Sequence, residues 1–383
     1  MYSNQLYSAL NPTFFLSLLS GTNPIYAQNI NGKYVLKSSL MFKFITMAYV
    51  FIYSCSLIYE YNRGDSLRDN VYMGNAISSI GRALDILGQI ILIYAIYILS
   101  FVLPPRIQNI IERICTVDSI FEELGHKINY RKIFWQQVSL FVIGLVAITF
   151  NISISMRGSQ AMLFIYYFPI IIIFIMECQF SFLVFLIYQR FKILNEILQK
   201  MFGAQEVESK NSKKIATLME VYDSLVDLAN DINRNYTFQI LICFTLLFIK
   251  TVFAIFFAYY EYFVLGAHMR AVSWGLWSVI DWNEILLLAI TCQIAATQAR
   301  QTGVEVHKLL MNSRNNDIKD KLTIFSQQIF HCPVQFTACG LFTIDSQLLF
   351  TIIGSGTVYL LIMLQFQEGT EEANCNIANA TAL

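Results

Sequence analysis

The sequence predicts an all-α membrane protein with seven transmembrane helices, its N-terminus cytosolic and its C-terminus extracellular, and helical cytosolic extensions forming an anchor region. Three observations predict this class. Of 383 residues, 56% are hydrophobic and only 14% charged, whereas a soluble domain carries about a quarter charged residues. Seven segments stay apolar over the roughly 20 residues a helix needs to cross the hydrocarbon core. Basic residues gather on one side of those segments.

The spans are Ser38–Tyr59, Leu84–Leu103, Ile133–Ile152, Ala161–Ile187, Phe238–Leu265, Trp274–Thr297 and Asp345–Phe366. Residues 1–37 lack a basic n-region, and Pro12 interrupts their short apolar core, so they read as a cytosolic or interface-lying arm rather than a signal peptide. Residues 38–187 hold the first four spans, and 188–237 form a cytosolic helical extension. There "SKKIATLMEVYDSLVDLANDIN" sets Ile215, Leu218, Tyr222, Leu225, Leu228, Ala229 and Ile232 on one helical stripe that runs into the fifth span. Residues 238–297 hold spans five and six, 298–339 further anchor helices, 340–366 the last span and 367–383 an extracellular tail. The amphipathic stripes fit two arrangements equally: a bundle closed within one subunit, or a platform shared by several.

Orientation follows the positive-inside rule. Nineteen Lys and Arg fall in the N-terminal arm and the connections after spans two, four and six. The opposite connections hold five: Arg63, Arg68, Arg82, Arg157 and Arg270. A G-protein-coupled receptor would face the other way, and neither a D-R-Y-like triplet after span three nor an N-P-x-x-Y in span seven occurs. That class is one alternative. A small-solute transporter is the other, and the absence of an internal repeat speaks against it.

Composition and motifs exclude further classes. Zero formal net charge argues against nucleic acid as a partner. Eight scattered cysteines without a C-x-x-C pair give neither a disulfide framework nor a zinc ribbon. His126, His268, His307 and His331 lack metal-ligand spacing, and no G-x-S-x-G elbow is present, so no metal, cofactor or enzyme activity is expected.

Ionisable groups inside spans are costly and call for a partner. Glu177 and Lys250 lie at similar depth and are expected to form a structural ion pair, with Glu284 as the rival partner of Lys250. Trp277, Asp281 and Glu284 share one face of span six, and aromatic planes with a few acceptors suit a small organic ligand. Gln89, Thr149, Tyr166, Tyr167, Tyr259, Tyr260 and Trp274 are the other outer-half candidates. Asn151-Ile-Ser and Asn379-Ala-Thr are glycosylation sequons on the outer side.

From Lys321 the chain reads "KLTIFSQQIFHCPVQFTACGLFTIDSQLLFTIIGSGTVYLLIMLQFQ". This closing pattern resembles the insect gustatory receptor family in Gly340, Leu341 and Phe342, the Ile344-Asp345 step, and Tyr359 followed after five residues by Gln365 and Phe366. Val358 stands where that family usually has threonine. Leu360 replaces the glutamate typical of sugar-sensing members, which points away from that subfamily. The resemblance implies a plasma-membrane, multi-pass chemosensory channel: a homo- or heterotetramer with related subunits, gated by a small-molecule tastant and passing monovalent and divalent cations. It further implies one last helix per subunit lining the pore. Thr351, Ser355, Val358, Ile362 and Gln365 recur at spacings of three and four, so four copies would stack hydroxyls, an apolar gate and an amide ring.

Overall fold

The computed structural model describes residues 3–23, 25–30, 33–38, 40–63, 76–155, 160–203 and 209–381. Arg68 and Arg157 of the orientation count lie outside them. Ten helices carry the described chain: α1 (Ser3–Ser20), α2 (Leu40–Arg63), α3 (Ala76–Leu99), α4 (Leu103–Glu123), α5 (Tyr130–Ser155), α6 (Gln160–Gly203), α7 (Ser209–Tyr259), α8 (His268–Asn312), α9 (Asn316–His331) and α10 (Ser346–Thr381). Two small hairpins join them, β1 (Ile25–Ile30) with β2 (Lys33–Ser38), and β3 (Thr337–Ala338) with β4 (Phe342–Thr343). Seven helices, α2, α3, α5, α6, α7, α8 and α10, are long and apolar enough to cross a membrane.

Helix length separates membrane from anchor. At 1.5 Å per residue, the 51 residues of α7 extend about 76 Å, and the 44 of α6 and 45 of α8 about 66 and 68 Å. A hydrocarbon core is only about 30 Å thick, so all three helices must project well beyond it. Outside the apolar belt they pack with α4 and α9 into a bundle. The α7 stripe from Ile215 to Ile232 is buried there, none of its seven residues being more than 2% exposed. Tyr222 anchors the stripe edge-on between Phe191 of α6 and Phe325 of α9, with ring centroids 5.7 and 5.6 Å away.

Within the belt α6 is central. Of its most apolar stretch 89% is buried, against 6% for α10. Its close neighbours need small residues: a Cβ on Gly144 of α5 would meet the Phe174 ring of α6 at 2.0 Å. Such small-residue contacts let membrane helices approach closely.

Among the residues expected as an N-terminal arm, the described ones form a helix and a hairpin that pack on the bundle. Pro12 sits inside α1, whose Leu6, Leu10 and Phe14 are buried. Long-range polar contacts hold this helix. Gln137 Nε2 of α5 donates to the Ala9 carbonyl at 2.8 Å, and Gln179 Nε2 of α6 donates to Ser17 Oγ at 2.7 Å and Thr22 Oγ1 at 2.6 Å. The antiparallel β1–β2 hairpin then delivers the chain to α2. At the other terminus, α10 continues to Thr381, through most of the residues expected to be a tail.

Candidate functional site

Polar residues of four spans meet inside the bundle. Lys250 Nζ of α7 lies 3.2 Å from Asp281 Oδ1 of α8, both side chains being largely buried. Asp85 and Glu284 also face this lysine electrostatically. Gln89 Nε2 donates to Asp85 Oδ1, one turn earlier on α3, at 2.8 Å. On α6, Glu177 is fully buried and its Oε1 accepts from Cys243 Sγ of α7 at 2.7 Å. Three carboxylates, Asp281, Asp85 and Glu284, thus gather around one cation in an apolar surround, and Glu177 lies beside Cys243.

The expected Glu177–Lys250 pair is corrected by this geometry. Lys250 takes Asp281, and Glu177 takes Cys243. Cys243 and Lys250 share a face of α7 but sit seven residues apart, about 10.5 Å along the axis. A carboxylate level with one therefore falls short of the other. Glu284, the rival, contributes to the field around Lys250 while Asp281 makes the contact. Asp85 escaped the sequence reading, although an acid four residues before a glutamine inside an apolar run signals an intramembrane polar site.

The remaining ligand candidates disperse. Trp277 stacks on Tyr167 with centroids 6.2 Å apart and planes 14° apart, within a small apolar cluster shared by α5, α6 and α8. Trp274 packs on Phe257 at 4.8 Å, and Tyr260 stacks on Phe256 at 6.3 Å. Tyr260 opens a π-helical turn, Tyr260–Val264, whose widened ring is closed by the Leu265 N–H donating to the Tyr260 carbonyl at 3.1 Å. Single π-turns of this kind recur at functional sites. Tyr166 is half-buried. Thr149 and Tyr259 are exposed, whereas the carboxylates are largely inside. Asn151 is 1% exposed inside α5 and has no room for a glycan in the folded chain. Asn379 lies in the helical final stretch of α10.

The closing motif has a structural role that spacing did not reveal. Cys339 and Gly340 both adopt positive φ, 52° and 72°, in the turn between β3 and β4. Gly340 suits this because it lacks the Cβ that penalises the left-handed region. Leu341 is exposed at the turn, and Phe342 packs edge-on against Phe244 of α7 at 6.1 Å. Asn233 and Thr237, one turn apart on α7, clamp the hairpin: Asn233 Oδ1 accepts from the Thr337 N–H at 3.0 Å, and Thr237 Oγ1 donates to the Thr337 carbonyl at 3.0 Å. Asp345 then caps α10, its Oδ1 accepting from the N–H groups of Gln347 at 2.9 Å and Leu348 at 3.2 Å. Asp345→Ala should lower stability by about 1 kcal/mol, with Asp345→Ser retaining most of it. Thermal unfolding of the purified protein checks the order.

Along α10, Ile352, Leu360, Met363 and Leu364 turn toward the bundle, and Tyr359 sets its ring edge-on to Phe248 at 6.0 Å. Thr351, Val358, Ile362, Gln365 and Phe366 are exposed, and Ser355 is half-buried at the edge of that strip. The Thr351 and Ser355 hydroxyls donate to carbonyls one turn earlier, at 3.1 and 2.7 Å. Their lone pairs are thereby left along the open strip.

Seven apolar helices whose membrane charges turn inward define a class, the multi-pass helical membrane protein with its polar chemistry inside the bundle. Comparison with known proteins narrows this. A family model described as 7tm Chemosensory receptor matches residues 10–369, and the chain belongs to that family. It is accordingly a receptor of the cell surface and not an enzyme. The chain is 26% identical to gustatory receptor 28b of Drosophila melanogaster, with 95% of this chain and 86% of that protein covered. It is 24% identical to gustatory receptor 28a of the same fly, with 95% and 92% covered. The fold matches the insect olfactory receptor of Machilis hrabei solved with eugenol, at a TM-score of 0.69, 11% identity, and coverage of 96% of this chain and 100% of that one.

Proposed function

We propose that this gustatory-type receptor is itself a ligand-gated, non-selective cation channel, a tetramer of this chain or of this chain with related subunits. A small-molecule tastant in the outer half of the bundle opens it by binding the open state more tightly. The observation that carries the reading is α10. Its apolar stretch is almost uncovered by the rest of the chain, and its exposed strip mixes Thr351, Ser355 and Gln365 with Val358 and Ile362. Lipid alone would favour an apolar strip, whereas four such helices around an axis give hydroxyl rings, an apolar constriction that closes by dewetting, and an amide ring for a partly dehydrated ion. The excess of basic residues on the anchor side supports a cytosolic N-terminus and an outward C-terminus.

Purified protein in planar bilayers tests the reading. Ligand-evoked unitary currents are expected. Gln365→Lys should cut cation conductance tenfold or more, since even in bulk water one unit charge at about 4 Å is worth about 1 kcal/mol and four would act together. Gln365→Ala should alter selectivity. Unchanged single-channel behaviour removes Gln365 from the pore. Complete absence of current, with signalling only through added G proteins or with slow coupled flux, sinks the channel.

A further inference from the structure

A cleft of about 1050 Å³ opens between α1 and the start of α5, lined among others by Gln5, Ser8, Lys127, Arg131, Phe134 and Trp135. Its wall carries two cations and no carboxylate. Lys127 and Arg131 are exposed, and among the described residues neither forms an ion pair. One turn further into α5, Trp135 is 58% exposed and lies edge-on to Phe134 at 5.5 Å. Beyond it the outer surface of this span is apolar, with Val142, Ile143, Val146 and Phe150 all more than half exposed.

The cleft therefore sits where the apolar belt begins, on the side from which the anchor helices project. Tyr130, at the first position of α5, donates its hydroxyl to Asp118 of the anchor at 2.9 Å, which fixes that level. Both walls are held in place, α1 being tied to α5 through the Gln137 contact with Ala9. A tryptophan at headgroup depth, with Arg131 one turn outward and Lys127 beyond it in the preceding loop, matches a phospholipid along its length. Lysine and arginine near an anionic leaflet attract it by about 1 kcal/mol each. A soluble phosphate would use the cations but leave the exposed Trp135 and the apolar face of α5 without a role.

We infer that this cleft binds an anionic phospholipid, its headgroup held by Lys127 and Arg131 and its acyl chains laid along Trp135 and the outer face of α5. The inference stands apart from the tastant site and from the pore.

Native mass spectrometry of the full-length, detergent-purified protein tests it with three probes: dioleoyl phosphatidylserine, dioleoyl phosphatidylcholine, and glycerophosphoserine, which has the headgroup without tails. Phosphatidylserine should be retained at least tenfold over phosphatidylcholine. The Lys127→Ala/Arg131→Ala pair should reduce it to the phosphatidylcholine level, while Arg314→Ala/Lys319→Ala in the anchor leaves it unchanged. Trp135→Ala should weaken phosphatidylserine severalfold, and the charge-keeping exchange Lys127→Arg/Arg131→Lys should retain binding even if the alanine pair unfolds. Equal retention of the two lipids overturns the inference, as does retention by a folded alanine pair. Displacement of phosphatidylserine by an equal concentration of glycerophosphoserine would show a soluble-phosphate site and overturn it too.

Discussion

Arg190→Met is expected to destabilise the protein by about 3–5 kcal/mol, the cost of leaving a buried charge without its partner. Arg190 is fully buried on α6 and Asp118 is 4% exposed on α4. The guanidinium grips the carboxylate with both edges, Nε to Oδ1 at 2.9 Å and Nη2 to Oδ2 at 2.7 Å. Its Nη1 donates to the Leu186 carbonyl at 3.3 Å, and the Tyr130 hydroxyl completes the shell of Asp118. The cluster joins α4, α5 and α6 where the anchor meets the membrane. With methionine in place, Asp118 keeps only the tyrosine. Arg190→Lys should fall between, because an ammonium cannot reproduce the planar fork. The double replacement Asp118→Leu/Arg190→Met should recover most of the loss, since a well-packed apolar pair often matches a buried ion pair. Chemical or thermal unfolding in detergent reads all four proteins. A single-variant loss below about 1 kcal/mol would place the pair in water despite its burial.

Arg190 also marks where sequence reading stops. As one basic residue in a connection it enters the orientation count, but its partner lies 72 residues away. The seven spans were legible because hydropathy is a local property summed over a window. The continuation of span five into the anchor was legible for the same reason, its apolar stripe having the helical period. Which carboxylate meets Lys250 depends on the rotation and axial offset of two helices, and no local pattern carries either quantity. The burial of α1 was hidden because its contacts come from Gln137 and Gln179, far along the chain, while Pro12 interrupts the local apolar run. The closing motif was visible as a string, yet its work as a clamped hairpin depends on Asn233 and Thr237, about 100 residues earlier.

Lys250→Met should cost as much as Arg190→Met, about 3–5 kcal/mol, but its rescue should behave differently. Lys250 pairs with Asp281, 1% exposed, while Asp85 and Glu284 depend on the same positive charge. Removing the lysine strands several acids rather than one. The double variant Lys250→Met/Asp281→Leu should therefore recover only part of the loss, whereas the Asp118–Arg190 double recovers most. Asp281→Asn alone should be milder than Lys250→Met, because it relieves one member of an acidic excess. Glu177→Gln should be nearly neutral toward Lys250, its hydrogen bond being with Cys243 Sγ. Surface delivery in cells and unfolding of purified protein read the same double-mutant cycle. Full rescue by Lys250→Met/Asp281→Leu would reduce the site to an isolated pair. Rescue by Glu177→Lys/Lys250→Glu, with none from Lys250→Asp/Asp281→Lys, would return the lysine to α6. The partial rescue requires that one cation on α7 hold the acids of both α3 and α8, so that no single carboxylate accounts for its effect.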